Sequence, residues 1–204
     1  MDILDRLIKL MLEKVEVKPV PKQELDEFLT SQKLQICDEH YQFLLNYGNS
    51  DFLINWFANL TFGAFKDYYL DDEFFEGSKL PEGYNYVGMD FNDELLCKSN
   101  DDRRIYIFGY GRKDLLYYGG IKELLFFSLF KLLYKNNFFD KVKENIKIND
   151  IDRFKEKYLA YEIKGIYRYD RYFLKDNELI ICDNNFHSYH LYRGGILNKI
   201  TPAP

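Results

Sequence analysis

The sequence predicts an α+β protein, and three patterns carry that prediction. Apolar residues recur at helical spacing up to Tyr47. Two strand–turn–strand segments follow, each flanking a cluster of Asp, Asn and Ser residues. Between them Ile121 to Lys135 is apolar nearly all round, as a fully buried helix is. The expected architecture is N-terminal helices and a twisted, mostly antiparallel sheet with helices packed on it, plus a C-terminal β-rich extension.

The elements follow in order. From Met1 to Val15, Ile3, Leu4, Leu7, Ile8, Leu10, Met11 and Leu12 form an apolar stripe between charged residues. Lys18-Pro19-Val20-Pro21 ends that helix, because the residue before a proline avoids helical geometry. A second helix starts after Pro21, marked by Glu24, Leu25, Phe28 and Leu29. A third runs from Asp38, the expected N-cap, to Tyr47. Its expected buried stripe is Tyr41, Leu44 and Leu45, with Gly48 at C′.

Phe52 to Phe57 and Leu60 to Phe65 read as short strands, although Phe65, Tyr68, Tyr69 and Asp72 also fit a helix over Ala64 to Phe75. Gly77 to Gly83 is a loop. Strands are expected at Tyr84 to Gly88, Glu94 to Lys98, Arg104 to Phe108 and Lys113 to Tyr118, the middle two forming a hairpin around Ser99 to Asp102. After the apolar helix comes a polar, Lys-rich helical stretch from Asn136 to about Lys157. Strands follow around Ala160 to Tyr167, Tyr172 to Leu174, Glu178 to Cys182 and Tyr189 to Tyr192. Residues 92–97 and 176–181 align at a constant offset, which would suit a duplication. An acidic turn before any β-hairpin gives the same pattern, and that plainer reading is favoured. The expected division is a core over residues 1–137 and a helical and β extension over 138–204, packed on the same domain.

Composition narrows the function classes. The chain has 204 residues, with 28 Lys and Arg against 33 Asp and Glu, a formal charge of −5. That sign opposes general nucleic-acid binding, which needs a basic surface to displace counterions. Tyr and Phe number 18 each, and Pro only 5. The start, Met1-Asp2-Ile3-Leu4-Asp5-Arg6, has acids where a secretory signal has bases. The longest apolar run, Leu124 to Tyr134, is short of the roughly 20 residues that span a bilayer. Cys37, Cys97 and Cys182 are odd in number and far apart, which is no disulfide framework. These points lead us to expect a reduced, cytoplasmic protein with no membrane association.

No catalytic constellation stands out. His187 and His190, near Cys182 and Asp183, have metal-ligand residue types, but on a strand they point to opposite faces and no second ligand pair accompanies them. Cys37 and His40 lie within one helical turn, whereas nucleophile–base pairs are assembled across a fold. Gly109-Tyr-Gly111, Gly119-Gly120 and Gly194-Gly195 match no phosphate loop and read as turns. Tyr167, Arg168, Tyr169 and Arg171 could stack on bases, but the net charge opposes it and strand packing explains them. No cofactor and no metal are expected.

Two acidic clusters remain: Asp67, Asp71, Asp72, Glu73 and Glu76, and then Asp90, Asp93 and Glu94 with Asp101 and Asp102. The plain reading is a solvated face that keeps the protein dissolved. The functional one is a docking patch for a basic protein, with Asp67, Asp71, Asp72, Glu73, Glu76 and Asp90 as docking residues.

One family resemblance rests on residues. The N-terminal helices end in Phe43-Leu-Leu-Asn-Tyr-Gly48. Val87-Gly-Met-Asp-Phe-Asn-Asp-Glu-Leu-Leu-Cys97 follows, then Arg104-Ile-Tyr-Ile-Phe108 and a closing helix at Ile121-Lys-Glu-Leu-Leu-Phe126. This order resembles the SUKH superfamily, which includes bacterial immunity proteins and fungal cell-wall-synthesis regulators, over about Leu25 to Lys135. The proline-containing approach to the third helix is replaced by Leu34-Gln-Ile-Cys-Asp38, and the stretch from Asn136 exceeds the family core. The resemblance implies a non-enzymatic, protein-binding role. An immunity protein would bind and neutralise a cognate toxin, a basic nuclease or deaminase. A regulatory scaffold recruiting cellular partners is the alternative. The family carries no catalytic residues to transfer.

Overall fold

The computed structural model describes residues 2–55, 57–70, 80, 82–109, 112–134 and 138–200, and of residues 112–114 the backbone alone. The protein is α+β, with helices at its N-terminus and two antiparallel sheets. Its contacts divide the chain at 14/15 and 121/122. Val15–Ile121 forms a middle unit, and Met1–Lys14 with Lys122–Pro204 forms a terminal unit. The boundary expected from the sequence lies instead at 137/138.

In the middle unit, α2 (Lys22–Ser31) and α3 (Asp38–Tyr47) precede a six-stranded sheet. Its strands are β1 (Ile54–Asn55), β2 (Ala58–Asn59), β3 (Tyr84–Asp90), β4 (Leu95–Ser99), β5 (Ile105–Gly109) and β6 (Arg112–Tyr118), paired in that order. The β4–β5 hairpin forms as expected, and β4, flanked on both sides, is buried at all five residues. The expected strand over Phe52 to Phe57 is shorter: a 3₁₀ turn, Asp51–Leu53, leads into the two residues of β1. Beyond β2 the helical alternative holds, since α4 (Phe62–Leu70) occupies part of that stretch. Asn59 and Thr61 set its start: Asn59 Oδ1 accepts the Thr61 N–H and hydroxyl, and Thr61 Oγ1 accepts the Ala64 N–H. The loop expected at Gly77 to Gly83 lies largely outside the described residues.

The third helix differs from expectation in detail. Cys37, not Asp38, is its N-cap, and the buried stripe is His40, Phe43 and Leu44. Tyr41 instead donates its hydroxyl to Asp26 Oδ1 at 2.7 Å. Gly48 has φ −57°, so it is not a left-handed C′ residue. Close packing requires it instead: a Cβ there would lie 2.6 Å from the Leu44 carbonyl oxygen.

In the terminal unit, α1 (Ile3–Leu12) opens with a capping box: Asp2 Oδ1 accepts the Asp5 N–H at 2.8 Å, and Asp5 returns the bond. Leu4, Leu7, Ile8 and Met11 are its buried stripe. The side-chain bond from Lys122, then the Asp5 N–H, hold the Asp2 carboxyl below its ordinary range. The helix α5 (Ile121–Leu133) is buried nearly all round, as its composition predicts. The five-stranded sheet contains β7 (Lys141–Lys147), β8 (Glu162–Tyr167), β9 (Asp170–Lys175), β10 (Glu178–Asp183) and β11 (Ser188–Arg193), in the order β7-β11-β10-β9-β8. α5 covers one face, with Phe126 against Tyr172 and Phe130 against Tyr192. α6 (Ile151–Tyr158) covers the other, with Phe154 and Tyr158 packed on Phe173, Ile180 and Cys182.

One expected element is overturned. Residues 141–147 form an edge strand and not the first part of a Lys-rich helix. The strand is exposed on both faces, so no apolar alternation marks it in the sequence. Its lysines suit an edge, where charge discourages pairing with other chains.

Gly194 and Gly195 take positive φ, +72° and +58°, at the turn after β11. A Cβ on Gly195 would stand 1.9 Å from the Phe138 carbonyl oxygen. Gly195→Ala is therefore expected to lower stability by about 1–3 kcal/mol through backbone strain, read by urea unfolding. Among the described residues, no helix is long and apolar enough to cross a membrane.

Candidate protein-docking surface

Charge is unevenly distributed along the chain. Val15–Ile121 holds ten Lys and Arg against nineteen Asp and Glu, a formal charge of −9. The remaining residues hold eighteen against fourteen, a charge of +4. Both units are thus far from neutral, with opposite signs, which the net −5 conceals.

The expected docking carboxylates fall in three groups. Asp67 is exposed on α4 and makes no salt bridge among the described residues. Asp71, Asp72, Glu73 and Glu76 lie outside the described residues. Asp90 is only 4% exposed, at the end of β3. Its Oδ1 accepts the N–H groups of Asn92 (2.8 Å) and Glu94 (3.0 Å), and its carbonyl accepts that of Asp93 (3.2 Å). Asp90 therefore organises the β3–β4 turn from inside it, leaving little of its carboxylate for a partner.

That turn holds what the sequence reading missed. Phe91 is 56% exposed at its start. The Phe91 N–H donates to the Phe57 carbonyl at 3.0 Å, and the two rings meet edge to face at 6.3 Å. Phe57 sits in the β1–β2 turn, whose shape is fixed by Asn55 Oδ1 accepting the N–H groups of Phe57 and Ala58. Ile54, at the start of the same hairpin, is 59% exposed. Two braced turns thus present two exposed apolar side chains, Ile54 and Phe91, beside half-buried Phe57, with exposed carboxylates at Asp51 and Asp93 nearby in the chain. An exposed apolar centre with a charged margin is the anatomy of an interface. The available signal was a phenylalanine inside an otherwise polar turn, Asp90-Phe91-Asn92-Asp93.

The groups weighed for catalysis or metal binding are scattered. Cys37 is exposed, whereas His40 is fully buried, with neither ring nitrogen hydrogen-bonded. Burial, and secondarily the charge of Lys98, push the His40 imidazole down to about 3. His187 is exposed in a turn that Asp183 braces by accepting the N–H groups of Asn185, His187 and Ser188. Burial pushes the Cys182 thiol up to about 12, so it is no thiolate nucleophile at neutral pH. Among the described residues, no group of three His, Cys, Asp or Glu side chains is placed to hold a metal ion.

The terminal unit holds a half-buried carboxyl near two cationic side chains. Asp170, at the start of β9, has its carboxyl pushed up by burial and partly restored by the charges of Lys131 and His190. Burial lowers the Lys131 ammonium in turn.

Comparison with protein-family models, curated proteins and solved structures finds no match to this chain.

Proposed function

We propose that this chain is a non-enzymatic protein-binding module of the immunity type, which acts in the bacterial cytoplasm by binding and neutralising a cognate basic toxin of the nuclease or deaminase kind. The observation that carries the reading is the tip where exposed Ile54 and Phe91 flank half-buried Phe57, on a unit of charge −9. A protein that holds phosphate is basic where it does so, and an acidic unit with an apolar anchor fits such a surface. The SUKH resemblance supports the same reading, because that superfamily includes immunity proteins.

In this reading Phe91 is the anchor, Asp90 positions it, and Asp67 steers the approach. The anchoring and steering roles separate experimentally by surface-based kinetics on the captured partner. Phe91→Ser is expected to raise the dissociation rate at least tenfold, about 1.4 kcal/mol or more, while lowering folding stability by no more than about 1.5 kcal/mol through loss of the ring pair with Phe57. Asp67→Lys is expected to slow association and flatten its salt dependence, with dissociation unchanged. Kinetics untouched by either substitution would remove this face from the proposal. A diffuse set of weak partners in place of one tight one would favour the regulatory scaffold instead.

A further inference from the structure

The terminal unit carries a surface of the opposite kind. After α6 a 3₁₀ turn, Leu159–Tyr161, leads into β8. Leu159 is 45% exposed and Tyr161 is 43% exposed. Lysines lie near them: Lys175 Nζ lies 4.9 Å from the centre of the Tyr161 ring, Lys157 precedes them in the last turn of α6 with its Nζ over the Tyr158 ring, and Lys164 follows, exposed on the edge strand β8. None of these three lysines makes a salt bridge among the described residues. Isolated exposed apolar residues need no explanation, but an aliphatic and an aromatic side chain beside lysines that make no salt bridge form an anchor with a basic margin.

The chain itself holds the complementary surface. The tip of Ile54, Phe57 and Phe91 is an apolar anchor on an acidic unit, and the patch of Leu159 and Tyr161 is one on a basic unit. We propose that the lysine-flanked patch of Leu159 and Tyr161 is a docking surface for the acidic tip of a second copy of this chain. Tip meets patch, so the contact is heterologous, and a contact of that kind adds copies head to tail unless its rotation closes a ring. The charges bring the copies together and make the contact sensitive to salt. A partner that occupies the tip displaces the neighbouring copy, so the assembly is a store of protein with its docking face covered. That last consequence rests on the docking reading above; the self-association does not.

Sedimentation of the full chain tests it. At about 20 mM salt the mass is expected to rise with concentration above the 24.6 kDa of one chain, and to return to it at about 500 mM. Two variants, altered at exposed Phe91 or at exposed Lys164 and half-buried Lys175, separate the halves of the contact. Lys164→Glu/Lys175→Glu keeps the tip and loses the patch, and Phe91→Ser keeps the patch and loses the tip. Each alone is expected to remain monomeric at low salt. Mixed in equal amounts, they are expected to give a discrete complex of twice the chain mass and nothing larger, because one good tip meets one good patch. A wild-type chain that stays monomeric at low salt overturns the proposal. So does a variant that still self-associates alone, which indicates a tip–tip or patch–patch contact, and so does a mixture without a complex. Toxin capture by Lys164→Glu/Lys175→Glu is expected to match wild type, so the docking reading can fail or stand independently of this one.

Discussion

Acidification from about pH 7 to about pH 4.5 removes roughly 3 kcal/mol from the stability of the middle unit, and His40→Leu abolishes that loss. The sign follows from linkage. His40 titrates near 6.5 in the unfolded chain but only at about 3 in the folded one, because its ring is fully buried with no hydrogen-bond partner and Lys98 adds a like charge. Below pH 6.5 the unfolded state therefore binds a proton that the folded state refuses. Stability is complete above the unfolded value and falls by about 1.4 kcal/mol per pH unit until the folded value is reached. Carboxylates with depressed values, such as Asp26 held down by Lys22 and Tyr41, act at lower pH and do not obscure the window above 4.5. Leucine fills a similar space and packs on Phe65, whose ring lies edge-on 5.3 Å from the imidazole. The orphaned nitrogens are removed as well, so the variant is expected to be at least as stable as wild type at pH 7. Trp56, the sole tryptophan of the sequence, provides the fluorescence signal for urea unfolding. Equal pH slopes for wild type and variant would show that the ring is not sequestered.

Phe130→Ala is the second large effect, a loss of about 3–5 kcal/mol in the terminal unit. Phe130 is buried on α5, and its ring meets Phe126, Tyr134, Phe139 and Tyr192. Truncation removes the transfer contribution of the ring and leaves a cavity that aromatic neighbours are slow to fill. The expected readout is amide exchange across β9, β10 and β11, faster by roughly a hundredfold or more. Unchanged exchange in those strands would mean that α5 does not hold the sheet.

These residues also show what the sequence makes legible. Helices α1 and α2 bury one stripe each, so burial imprints a helical period on them, whereas the central strands of the hairpins β4–β5 and β10–β11 are buried nearly throughout and show as short apolar runs between turn residues. β7 leaves no such imprint, being exposed on both faces, and β1 is too short to show one. α5 was legible as buried but not as a partner of a particular sheet, because a helix apolar on every side carries no direction. The site divides the same way. Counting carboxylates found the sign of the middle unit. It did not find that Asp90 faces inward to hold a turn, since three backbone donors and an exposed carboxylate look alike in sequence. The positions of Phe57 and Phe91 depend on two turns meeting across 34 residues, a non-local contact that no window of sequence reveals.

The central claim is that Phe91 presents the acidic unit to one basic partner. A tagged wild-type chain and its Phe91→Ser variant, each used for capture from the source cells at low and high salt and read by mass spectrometry, test it most directly. The account predicts one stoichiometric basic protein with wild type, toxic when expressed alone, retained at low salt and strongly reduced with the variant. A partner captured equally by both chains, or no stoichiometric partner with wild type at low salt, would contradict it.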